Sequence, residues 1–136
     1  VKVFMDTNVL VSAFATRGLS AELLQAVALE HELFVGREVL AEFARVLGAK
    51  FKVPAEGRAE AMQALLRNAS GVVEDSEPAD CDADREDRRI LGEAMASGAQ
   101  VFVTGDQHLV ALGAVGSMKI LTPRQLWELL RKDPAA

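Results

Sequence analysis

Five short apolar runs, "VKVFM", "ELFVG", "GVVE", "QVFVTG" and "MKILT", begin near residues 1, 32, 71, 100 and 118. They are rich in Val, Ile and Phe and read as strands. The segments between them carry a helical period instead. Leu23, Leu24, Val27 and Ala28 form one stripe within residues 21–30, and Val39, Leu40, Phe43, Val46 and Leu47 form another within residues 38–47. Pro54 and Gly57 mark the entry to a third helix running through Leu66, and a fourth starts near Arg85. Pro123 suits the first turn of a final helix bearing Leu126, Trp127, Leu129 and Leu130. Strands that alternate with helices predict an α/β fold whose central parallel sheet is covered on both faces.

The chain has 136 residues, the size of one ordinary domain, and it is read as a single domain over 1–136. No internal repeat is visible. Hydrophobic residues make up 50% and charged residues 26%, which excludes a disordered chain, and no apolar run approaches a membrane span. The first residues lack the basic start and apolar block of a secretory signal, and the single Cys81 has no internal disulfide partner. Both features predict a cytoplasmic protein.

"VKVFMD" and "VFVTGD" share one form, an apolar strand that closes on a carboxylate. In an open parallel sheet, ligands bind beyond the carboxyl ends of the strands, where Asp6 and Asp106 are thereby placed. Two helices add further acids. Ile90, Leu91, Ala94 and Met95 follow Asp87 at helical spacing, so Asp87 heads a buried stripe, where a bare carboxylate is costly unless it is paired or given a metal. Glu42, three residues after Val39 and four before Val46, lies at the rim of its own helix's stripe.

Each acid also has a plainer reading. Asp6 suits the cap of a short helix beginning near Asn8, Asp106 the cap of "QHLVAL", Asp84 and Asp87 a capping pair, and Glu42 a solvated helix face. Singly these readings compete evenly. Jointly they require four coincidences.

"MDTNVLVSA", "EVLAEFARVL" and "DREDRRILGEAMASGAQVFVTGDQHL" resemble, in order and spacing, the motifs of PIN-domain ribonucleases, particularly the VapC-like toxins of toxin–antitoxin systems. The resemblance covers nearly the whole chain. It implies a Rossmann-like three-layer sandwich with a central, mainly parallel sheet, a Mg²⁺ or Mn²⁺ site, and cleavage of phosphodiester bonds in RNA. By position it places the acidic site on Asp6, Glu42, Asp87 and Asp106, supported by Asn8 and Thr104. It also implies a cognate antitoxin protein and a homodimer. "VGREVL" departs from the pattern, because Gly36 and Arg37 stand where such proteins often carry a small hydroxyl residue.

Oxygen ligands of this kind suit Mg²⁺. Asp6 and Asp106 are read as principal ligands, Asp87 as a direct or water-mediated ligand, and Glu42 as holding water or a second ion. Asp84, three residues before Asp87 on the same face, is read as the helix cap or a supporting group, and it stays open as the alternative third ligand.

His31 and His108 are the only histidines and read as surface or capping groups, and Cys81 among acids is a poor thiolate. The net charge of −5 argues against a broadly basic nucleic-acid surface. Setting the four acids aside with their cations leaves 15 basic against 16 acidic residues, a balance of −1, so RNA stays compatible. Arg37, Arg45, Lys50 and Lys52 flank Glu42, and Arg85, Arg88 and Arg89 flank Asp87, although charged helix faces are usually just solvated.

Other classes fit less well. An aspartyl phosphotransferase would want an acid where Asn8 stands, and in a receiver domain Lys119 would fall at a strand end rather than before the strand core. A PIN processing nuclease outside toxin–antitoxin systems, and a non-catalytic PIN-like module binding RNA or protein, remain the alternatives.

Overall fold

The structure, a computed structural model, describes residues 1–132. In chain order the elements are β1 (Lys2–Met5), α1 (Thr7–Ala15), α2 (Leu19–Glu30), β2 (Glu32–Gly36), α3 (Arg37–Ala49), α4 (Ala55–Asn68) and β3 (Gly71–Val73). There follow α5 (Arg85–Ala96), β4 (Val101–Val103), α6 (Gln107–Val110), β5 (Ala114–Val115), β6 (Met118–Leu121) and α7 (Pro123–Lys132).

The strands form one sheet in the order β3-β2-β1-β4-β6-β5. Every pairing is parallel except that of β5 with β6. This is the mainly parallel α/β sheet that the alternating pattern predicted. The helix after Asp6 starts at Thr7 and is longer than the short helix expected near Asn8. The two-residue strand β5 has no counterpart among the predicted runs, because two residues carry no periodicity.

The chain builds outward from β1 to β2 and β3, then returns to the other side of β1 with β4. By the right-handed crossover rule, this order assigns the connections from β1 to β3 to one face of the sheet and that from β3 to β4 to the other. The reversal puts the topological switch point between β1 and β4, and such sheets bind ligands beyond the carboxyl ends of the strands at that point. Asp6 and Asp106 follow those two strands.

The core explains the strand sequences. Val3, Phe4 and Met5 are wholly buried, as are Phe102 and Val103. Strands buried on both faces read as continuous apolar runs rather than alternating ones. The stacked rings of Phe4 and Phe102, 6.0 Å apart, join the two central strands. On α5, Ile90, Leu91 and Ala94 are buried as their spacing predicted, but Met95 is 40% exposed and lies at the stripe's edge.

The acid-rich stretch of residues 74–84 is a strap laid across α5. Ala79 N donates to the Arg88 carbonyl at 2.8 Å, and Arg88 Nε donates back to the Ala79 carbonyl at 2.8 Å. Gly92 lets the strap come down on the helix, since a Cβ there would overlap the Glu77 carbonyl. Gly92→Ala should therefore push the strap outward and lower stability by about 1–3 kcal/mol. An unchanged urea midpoint would show that the strap is not held against the helix.

Candidate active site

Asp6 continues the sheet by one bond beyond β1, its amide donating to the Val103 carbonyl at 2.8 Å. It then caps α1, its Oδ1 accepting from Thr7 N at 2.8 Å. Its Oδ2 accepts from the Thr104 hydroxyl at 2.7 Å, and that same hydroxyl oxygen accepts from Asp106 N at 3.1 Å. Thr104 is wholly buried, and Asp6 is 6% exposed. Burial raises the Asp6 pKa above its usual value. The bonds from Thr104 and Thr7 oppose that rise, and the charges of Glu42 and Asp106 add to it.

The other acids gather around this pair. Asp106 caps α6, its Oδ1 accepting from His108 N at 2.9 Å. Asp84 caps α5, its Oδ1 accepting from Asp87 N at 2.9 Å. Asp87 is half-buried, and its pKa is pushed up to about 6, first by desolvation and then by the charges of Asp84, Asp6 and Asp106. Glu42 is half-buried on one wall of a cleft of about 200 Å³ between α3 and α5, with Arg45 and Arg89 beside it. Asp6, Asp87 and Asp106 therefore interact electrostatically, with Glu42 acting on Asp6.

Among the described residues none of these acids is in an ion pair with a cation. Among the described residues the one ion pair is Arg124 with Glu128 on α7. As placed, no three acidic or histidine side chains among the described residues close around a point that would hold an ion. The donor set nevertheless suits a hard divalent cation, because every candidate ligand is a carboxylate oxygen. A carboxylate that accepts one hydrogen bond per oxygen keeps further lone pairs for a metal.

The remaining residues separate clearly. Asn8 is exposed on α1, one residue beyond the cap. Its neighbour Thr7, which the sequence did not single out, is buried, and its Oγ1 is the buried side-chain oxygen left without a hydrogen-bond partner among the described residues. Arg88 is engaged by the strap, whereas Arg45 and Arg89 line the cleft with Glu42, and Arg37 lines a second hollow with Arg89, Glu93 and the strap. His108 is exposed next to Asp106, and His31 precedes β2 at the opposite edge of the sheet. Burial pushes the Cys81 thiol up, and the charges of Asp80, Asp82 and Asp87 add to that against Arg88, so it is a poor nucleophile.

Glu93 is a further buried acid that sequence reasoning missed. It is 3% exposed on α5, and its carboxylate accepts from Glu38 N and Val39 N at 2.7 and 3.2 Å. A carboxylate in the sequence "ILGEAMA" follows no strand end and heads no stripe, so no local signal marked it.

Residues 2–108 match the PIN domain family, and the chain belongs to it. Among solved structures, the fold is similar to a chain in the crystal structure of VapBC2 from Rickettsia felis bound to a DNA fragment from their promoter. The TM-score is 0.66 over 90% of this chain and 98% of that one, at 15% sequence identity. At that identity the likeness is one of fold. No curated protein gives a significant match.

The raised Asp87 value has a consequence for stability. A carboxyl whose folded pKa of about 6 lies above its ordinary 3.8 favours the folded state below 3.8, and that benefit is lost as pH rises through 6. In chelator, Asp87→Asn should match the parent's melting temperature at pH 3.5 and exceed it at pH 7.5. Thermal melts at the two pH values check this, and a gap independent of pH would show that Asp87 is not electrostatically coupled to its neighbours.

Proposed function

We propose that this chain is a divalent-metal-dependent ribonuclease, a single nuclease domain spanning residues 1–136 that acts as the toxin component of a toxin–antitoxin pair. The observation that carries this reading is the mutual charge burden of Asp6, Asp87 and Asp106, with Glu42 against Asp6, none of them in an ion pair among the described residues. Acids gathered at a sheet's ligand-binding edge without a positive partner are suited to Mg²⁺ or Mn²⁺.

In this reading Asp6 and Asp106 hold the metal, Asp87 joins them directly or through water, and Glu42 holds water or a second ion. Thr104 fixes the rotamer of Asp6 and the backbone of Asp106 together, a supporting role. Asp84 serves as the α5 cap beside Asp87, and Asn8, exposed at the start of α1, is free to reach substrate or a metal-held water. When bound, the metal supplies Lewis acidity toward the phosphate and lowers the pKa of the attacking water. The protein's part is to orient the phosphate. Arg45 and Arg89, in the cleft with Glu42, are placed to bind a neighbouring phosphate of the RNA.

The likeness to VapBC2 supports a cognate antitoxin as partner, and the reading includes a homodimer in a cytoplasmic setting. No helix among the described residues is long and apolar enough to cross a membrane.

Purified protein should cut single-stranded RNA with Mn²⁺ or Mg²⁺ and stop in chelator. Thr104→Val should lose about 10–100-fold in activity, as removal of a partner to a metal ligand usually does, and Asp6→Asn or Asp106→Asn should lose more. Full cleavage by a folded Asp6→Asn protein would sink this mechanism. RNA held but left intact by the Mn²⁺-loaded parent would instead point to a non-catalytic binding module.

A further inference from the structure

A helix begins with amide groups that have no partner within the helix. For α3 the residue in the capping position is Gly36, which has no side chain to offer. The second and third amides of the helix, Glu38 N and Val39 N, are instead bonded by the carboxylate of Glu93, 55 residues further along than Glu38. A Cβ at position 36 would overlap that carboxylate. A side chain at 36 and a carboxylate from 93 are thus alternatives for the same space.

We infer that Glu93 is a positioning residue of the acidic site: it caps α3 from α5, and so fixes the helix carrying Glu42 to the helix carrying Asp87. The inference rests on the metal-site reading above. A serine at position 36 would satisfy the same amides locally, since Ser is a preferred capping residue and its oxygen reaches the second or third amide. It would leave α3 and α5 unconnected at this point. The carboxylate from α5 does two things at once, closing the helix end and tying it across the top of β2. Glu42 lies one helical turn beyond Glu38, close enough to follow any shift of that end. The negative charge is well placed, facing the positive end of the α3 dipole.

Four variants separate positioning from simple capping. Glu93→Ala should speed amide hydrogen exchange at Glu38 and Val39, lower the melting temperature, and weaken Mn²⁺ binding about tenfold by calorimetric titration below the melt. Gly36→Ser alone should also destabilise, because its side chain meets Glu93. Glu93→Ala combined with Gly36→Ser should recover the amide protection and much of the melting temperature, but not the Mn²⁺ affinity. Recovery of both would reduce Glu93 to a cap and overturn the positioning role, as would parental Mn²⁺ affinity in folded Glu93→Ala. If Glu93→Ala does not fold, Glu93→Gln decides, since it keeps one acceptor oxygen but turns an amino group toward the other amide. It should bind Mn²⁺ more weakly than the parent, and parental affinity overturns the inference. A parent chain that binds no Mn²⁺ fails the metal-site reading itself, and the positioning role falls with it.

Discussion

Thr104 donates its hydroxyl proton to Asp6 and accepts the amide proton of Asp106, and this relay makes one surface of two strand ends. The hydroxyl is wholly buried, so neither bond competes with water. Met5 lies beside Val103 in parallel register, and the last ladder bond comes from Asp6 itself. The two acids are therefore placed by the pairing of the central strands, whose apolar residues are all buried. Loosening the loop between β4 and α6 would have to break a bond to the most constrained acid of the site.

Capping and metal binding look like rival explanations for these acids, but the geometry makes them compatible. Asp6, Asp84 and Asp106 each use an oxygen on a backbone amide at the start of α1, α5 and α6 respectively. Those bonds restrict the rotamer of each carboxylate and set a positive helix end behind it. The relief is incomplete. Burial and like charge still raise Asp6 and Asp87 above their ordinary values. The caps hold the acids in place without neutralising them, and an ion able to do so would bind only the folded chain and stabilise it by mass action.

What was legible in the sequence follows from how far each cause reaches along the chain. "VFMD" and "VFVTGD" showed acids at strand ends because a buried strand and its terminus are local features, and Asp87 could be placed because Ile90, Leu91 and Ala94 follow it at helical spacing. The strand order was not legible beyond the alternation of elements, since β4 beside β1 is a pairing of residues nearly 100 apart. Thr7 and Asn8 look equally polar in "DTN", yet Thr7 is buried and Asn8 exposed, a difference set by how α1 packs on α2 and α3. The Gly36 departure was visible as a missing small hydroxyl residue, but that the position caps α3 was not. Its replacement by Glu93 was invisible, because the compensation comes from another helix.

Glu93 and Asp87 lie on the same helix and both have raised pKa values led by desolvation, but their surroundings assign them different work. Glu93 is almost fully enclosed and receives two amide protons, with Arg37 also favouring its charge, so its negative charge is answered within the fold. Asp87 is half-buried in the first turn of α5, and the charges that shift it, Asp84, Asp6 and Asp106, are all of its own sign, so beyond the helix start its charge is met by no ion pair among the described residues. A carboxylate with its donors already in place has little to gain from a cation, whereas one surrounded by other carboxylates gains most from one. The direction of their pKa shifts alone would rank the two residues together. It is the sign of what faces each carboxylate that separates the group holding the helices from the group left to hold a ligand.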